Sequence, residues 1–221
     1  MVIVPTGWQE FDGLTCGFGG RDDVATPARL VTVEQVHGNT IVAAEHVASS
    51  SGPVEADAVS VRSRGVTAAI RTADCVAILL VSPETRWAAA VHAGWRGTVA
   101  DIAGVAVGAA AGAGVERGSL WASIGPSIGP CCYEVGEEVA ARFDALGLAV
   151  GRGGPKPVLD LREINRTRLV SAGVSNDRIQ MCGPCTRCHS DRYWSFRADG
   201  ERAGRQLSWI GWERRTPSTD R

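Results

Sequence analysis

The stretch from Thr72 to Thr98 constrains the fold most. It holds two apolar runs, Val76 to Val81 and Trp87 to Val91, with Ser82-Pro83-Glu84-Thr85 close between them. Each run has the length and composition of a buried strand. Pro83 suits the turn because its φ is already set. If the runs pair as a hairpin, the start of one lies beside the end of the other. Asp74-Cys75 leads into the first run, and His92 leaves the second into Ala93-Gly94-Trp95-Arg96-Gly97. Cys75 and His92 are therefore expected at a common point on one rim of a sheet. A thiol and an imidazole in that position make either a metal site or a nucleophile with its base.

Strands are also expected from Leu30 to Val36 and from Thr40 to Ala44, joined by a tight turn at His37-Gly38-Asn39. Further strands are expected over 56–61, 66–71, 120–124, 174–181, 193–197 and 206–212. Helical patterns cover 98–114, capped by Gly97 or Thr98, then 134–146, and then 161–172 with Gly173 just past its end. Strands come in groups with helices between them, so the expected class is α+β rather than alternating βαβ. The expectation is a single domain over 1–213 with mixed β-sheets packed face to face and flanked by helices. Residues 214–221 are expected to be a disordered polar tail.

A net charge of -1 gives no basis for general nucleic-acid or membrane-surface binding. No apolar run approaches the ~18 residues needed to span a membrane. No basic segment precedes an apolar N-terminal stretch, so no signal peptide is expected and the setting is expected to be cytoplasmic. Seven cysteines, an odd number, point to reduced thiols that serve as ligands or nucleophiles rather than a disulfide framework.

His37, Cys75 and His92 each stand where an apolar run meets a turn. Three N/S ligands with one open position is the arrangement of catalytic zinc. Spacing alone fits a buried cysteine and two hydrogen-bonded histidines more readily than a metal site. Cys182, Cys185, Cys188 and His189 have a spacing that suits a structural zinc or part of an iron–sulfur site, with Cys131-Cys132 a further pair in space. The same thiols could stay reduced without metal. Gly94-Trp95-Arg96-Gly97 precedes a helical pattern, so Gly94, Gly97 and Arg96 are candidates for binding an anion, although glycines there also serve close packing. Asp57 and Asp74 near strand ends are candidates for acid–base work, for holding a ligand histidine, or for capping a turn.

Taken together, these residues resemble the YfiH-like or laccase-domain family, once called multicopper polyphenol oxidases. The matching pieces are Gln35-Val36-His37-Gly38, Ala56-Asp57-Ala58, Thr72-Ala73-Asp74-Cys75 and His92-Ala93-Gly94-Trp95-Arg96-Gly97-Thr98. They continue with Ile124 through Gly136, and with Cys185-Thr186 and Cys188 ahead of Ser195-Phe196-Arg197. The family's segment before Gln35 is usually longer; here Phe18-Gly19-Gly20-Arg21 stands in its place.

The resemblance implies one zinc ion held by His37, Cys75 and His92. It also implies phosphorolysis of adenosine, inosine, guanosine and S-methyl-5′-thioadenosine, and deamination of adenosine. From the chemistry of the residues rather than the resemblance, Asp74, Cys75 and Asp57 are the expected catalytic residues, and Arg96 is expected to hold phosphate. The expected partners are then a purine nucleoside and phosphate, with no nucleic acid or membrane, and the protein a monomer or homodimer. The family's older association is with copper and phenol oxidation, but four histidines are too few for the trinuclear copper site of true laccases. The same residues are also compatible with hydrolytic editing of cell-wall peptide precursors, and with an inactive, metal-stabilised interaction domain.

Overall fold

The computed structural model describes residues 2–23, 27 and 29–214. Strand β1 (Leu14–Phe18) is followed by β2 (Leu30–Val31), β3 (Ile41–Ala43) and helix α1 (Ala44–Ser49). Next come β4 (Ala58–Val61), β5 (Val66–Thr72), β6 (Val76–Ser82) and β7 (Trp87–Ala93), then helices α2 (Trp95–Val99) and α3 (Ile102–Gly112). Strand β8 (Trp121–Ile124), helices α4 (Glu137–Asp144) and α5 (Leu161–Ser171), and strand β9 (Ile179–Met181) follow. Helix α6 (Phe196–Asp199) and β10 (Gln206–Trp212) come last. The strands form a four-stranded sheet in the order β1-β10-β5-β2 and a six-stranded sheet in the order β3-β4-β7-β6-β8-β9.

The β6–β7 hairpin is present, with Val76 opposite Ala93 and Ala77 opposite His92. Every residue of both strands is buried. Successive side chains point to opposite faces, so unbroken burial means that both faces are covered. Ala77, Leu79, Val81, Ala88 and Ala90 face a core shared with Phe18, Ile70 and Ile210 of the smaller sheet. Val76, Ile78, Leu80, Ala89 and Val91 pack instead with Ile102 and Val107 of α3, Phe143 of α4, and Leu161 and Leu169 of α5. The sheets thus lie face to face, and the helices cover the far side of the larger one. This is the α+β layering expected from the sequence.

Several elements differ from expectation. Residues 30–44 do not form a hairpin. Strand β2 pairs in parallel with β5 in the smaller sheet, whereas β3 pairs in parallel with β4 in the larger one. Alternating apolar residues mark a strand but do not choose its partner. The predicted 98–114 helix is broken in two. Asp101 adopts φ 58 between α2 and α3, and its carboxylate accepts a bond from Gly104 N as the cap of α3. An Asp tolerates the left-handed region and is a strong N-cap, so the break falls there and not at Gly97 or Thr98. The strand expected over 193–197 is absent, because Ser195 caps α6 by accepting from Ala198 N. Helix α1 occupies a segment expected to be a strand end and a loop. Of the expected tail, only Arg214 lies within the described residues. No helix among the described residues is long and apolar enough to cross a membrane.

Candidate active site

Two connections cross from the smaller sheet to the larger one at the same rim. The first runs from β2 to β3 and carries His37; the second runs from β5 to β6 and carries Asp74 and Cys75. His92, near the end of β7, lies opposite Ala77 and completes the set. One donor atom from each of His37, Cys75 and His92 lies within 4.8 Å of the others. The two imidazole rings meet edge to face at 4.9 Å between centroids.

Asp57 underlies this convergence. Its carboxylate is fully buried and accepts three hydrogen bonds: His92 Nδ1 at 2.7 Å and His37 N at 3.0 Å on Oδ1, and Gly38 N at 2.6 Å on Oδ2. His37 has φ 61, a left-handed conformation costly for a residue with a side chain, and the Asp57 bonds hold it there. With Nδ1–H donated to Asp57, His92 presents Nε2 toward its two neighbours. A buried carboxylate behind a ligand imidazole fixes both tautomer and ring orientation. Of the roles expected for Asp57, the contacts match that of holding a ligand histidine: it does not line the cavity described below, and it touches His92 and the His37–Gly38 backbone.

Electrostatics follow from this packing. Burial pushes the Cys75 thiol up, yet hydrogen bonds and charge from His37 and His92 outweigh it and bring the pKa down to about 7. Burial pushes His92 down, but its bonds to Asp57 and Cys75 prevail and raise it to about 9. Asp57 is raised by burial, and the His92 and backbone hydrogen bonds overcome that to leave it below the usual carboxylate range. Thiolate and imidazole are the ligand types that zinc and copper take. The absence of a side chain at Gly94 gives them room. A Cβ there would stand 3.0 Å from His37 Nδ1 and 3.1 Å from Cys75 Sγ. The donor set and the space around it fit one metal ion.

His37, Asp74, Cys75 and His92 all line one cavity of about 630 Å³, within the roughly 300–1,000 Å³ typical of small-molecule sites. Asp74 has φ 81, and both of its oxygens are engaged: Thr186 Oγ1 donates to Oδ1 at 2.6 Å and Arg197 N donates to Oδ2 at 2.7 Å. Gly94, Arg96 and Gly97, expected to bind an anion, do not line this cavity. Arg96 is exposed with its guanidinium over the Trp95 ring at 4.4 Å. Gly97 is a packing glycine whose Cβ would stand 2.9 Å from Gly38 O. The cavity's cations are instead Arg71, Arg197 and Arg205, and its aromatic walls are Trp95, Tyr133 and Phe196. Sequence reasoning did not single out Arg71 and Arg205, which belong to no compact motif. Arg197 and Phe196 were visible only as part of Ser195-Phe196-Arg197.

The C-terminal thiols are also regrouped. Cys185 and Cys188 gather with Cys131 and Cys132, whereas Cys182 meets Ser123 Oγ at 3.3 Å and His189 falls outside the group.

Fold and site define a class: a two-sheet protein with an imidazole–thiolate cluster set where the chain crosses between sheets, in an open cavity lined by arginine and aromatic side chains. The chain belongs to the family described as multi-copper polyphenol oxidoreductase laccase, whose model matches residues 21–213. It is 38% identical over 190 residues to a purine nucleoside phosphorylase of Deinococcus radiodurans, covering 85% of this chain and 72% of that one. It is 38% identical over 160 residues to adenosine deaminase RL5 of an unknown prokaryote, covering 70% of this chain and 61% of that one. The crystal structure of YlmD from Geobacillus stearothermophilus superposes with a TM-score of 0.82 at 28% identity, covering 92% of this chain and 93% of that one.

Proposed function

We propose that this protein is a zinc-dependent purine nucleoside phosphorylase with adenosine deaminase activity. The observation that carries the reading is the single cavity in which a His–Cys–His cluster, three arginines and three aromatic rings meet. Its relatives' names, a purine nucleoside phosphorylase and an adenosine deaminase, are consistent with it.

His37, Cys75 and His92 would hold the metal. Bound there, zinc would supply Lewis acidity and activation of a coordinated water. The chain's own groups do the rest. Trp95, Tyr133 and Phe196 offer faces for a purine ring, since aromatic stacking tolerates any base. Arg71, Arg197 and Arg205 provide planar, permanently charged donors for phosphate. In phosphorolysis a phosphate oxygen bonds to C1′ as the C1′–N9 bond breaks, and the departing purine takes a proton. We assign proton handling to Asp74, whose carboxylate Thr186 and Arg197 hold at the cavity wall. In deamination, water adds at C6 and ammonia leaves. The free thiols suit a reducing, cytoplasmic setting.

The family's description favours copper oxidation as a second reading. The chain's four histidines supply too few imidazoles for a multicopper site, and only two of them reach this cavity. Incubation with adenosine and phosphate should yield adenine, ribose 1-phosphate and inosine, and His92→Ala should lose turnover together with the zinc ion of the His37–Cys75–His92 site. Absence of turnover by the zinc-loaded protein, or oxidation of phenols by a copper-loaded one, would overturn the proposal.

A further inference from the structure

The four gathered thiols lie on two connections without helix or strand, 125–136 and 182–195. One sulfur from each of Cys131, Cys132, Cys185 and Cys188 lies within 4.8 Å of the others. Cys132 Sγ is 3.4 Å, and Cys131 Sγ 3.6 Å, from Cys188 Sγ. Four sulfurs about 2.3 Å from one tetrahedral ion stand about 3.8 Å from each other, so the spacing is that of a mononuclear site. A disulfide needs about 2.05 Å and joins sulfurs in pairs. Here two sulfurs approach the same Cys188, and every cysteine is free. Gly129 N donates to Cys185 Sγ at 3.2 Å, an outer hydrogen bond of the kind that orients a metal ligand.

We propose that Cys131, Cys132, Cys185 and Cys188 bind a structural zinc ion, separate from the His37–Cys75–His92 site, that clamps these two connections into one wall of the cavity. Residues 182–191 contain no Ile, Leu, Val or Phe, and beyond the buried Thr186 and the core-packed Cys182 they have little apolar burial to hold them. Ligation supplies that order where a core is lacking. The clamp reaches the cavity through short links. Thr186, between two of the ligands, donates its hydroxyl to Asp74 Oδ1 and its N–H to Ser127 O at 3.1 Å. Arg197 donates to Cys132 O at 3.2 Å and to Glu134 O at 3.1 Å. Ile128 and Tyr133 from one connection then line the cavity beside Phe196 and Arg197, which follow the other.

The test is metal content of protein purified under reducing conditions, loaded with zinc and freed of excess. Wild type should hold two ions, His92→Ala one, and a Cys185→Ser/Cys188→Ser double variant one. Should the double variant fail to fold, cobalt-loaded His92→Ala decides the matter: four thiolates give strong sulfur-to-cobalt charge transfer and tetrahedral d–d bands. One ion in wild type with none in His92→Ala, or a cobalt spectrum without thiolate bands, would overturn the proposal. Two ions with no nucleoside turnover would leave it standing and sink the catalytic reading instead.

Discussion

Replacing Asp57 with asparagine tests the idea that the site is assembled from behind. The carboxylate accepts from His92 Nδ1 and His37 N on one oxygen and from Gly38 N on the other. An amide has one acceptor oxygen. If that oxygen takes the two histidine bonds, the NH2 faces the Gly38 N–H, donor against donor, where 2.6 Å now separates N from O. If it turns the other way, His92 must accept at Nδ1, and the proton moves to the nitrogen needed for metal. Each arrangement gives up one hydrogen bond, but the first keeps the His92 tautomer; it costs about 1.5–3 kcal/mol, the range for a hydrogen bond to a charged group. Loss of the orienting carboxylate should also weaken zinc binding by about 10–100-fold. Competition against a chromophoric chelator measures the second effect, and thermal unfolding of the metal-free protein measures the first. Wild-type zinc affinity together with wild-type stability in Asp57→Asn would refute the argument that this carboxylate sets the His92 tautomer.

Gly94→Ala should lower zinc affinity with little change in fold, because its φ of -69 is ordinary while the new Cβ crowds His37 and Cys75; elemental analysis of the purified variant is the check. In metal-free protein, alkylation of Cys75 should follow the thiolate, which its lowered pKa makes available above about 7 and which is lost as pH falls through that value. Cys16, buried and raised to about 12, should stay unlabelled until the protein unfolds; mass spectrometry of alkylated peptides distinguishes the two. Leu80→Ala empties a fully buried position between the larger sheet and its helices, and denaturant titration should show a loss of about 2–5 kcal/mol.

The local sequence alone determined the hairpin and half of its chemistry. Val76 to Val81 and Trp87 to Val91 are apolar at every position, and antiparallel pairing across a short turn brings Cys75 near His92 whatever surrounds them. Where the period and the cap agreed, as in the helix from Leu161, the element was legible too: Asp160 accepts from Glu163 N and Gly173 follows at φ 104. Only tertiary structure decided the rest. His37 reaches the cluster because its segment leaves one sheet and enters the other, and a short alternating strand carries no mark of which sheet will take it. Asp57 fitted acid–base work, support of a ligand histidine and turn capping alike, because its burial and its three donors are supplied by distant neighbours. Cys131 and Cys132 meet Cys185 and Cys188 across more than 50 residues for the same reason, since the pairing of β8 with β9 brings their connections side by side. Arg71, Arg197 and Arg205 become one charged wall only when β5, α6 and the approach to β10 share a rim. Cap and turn chemistry acts over a few residues and can be read from them; which surfaces bury one another, and which distant groups then bond, is settled by the whole core.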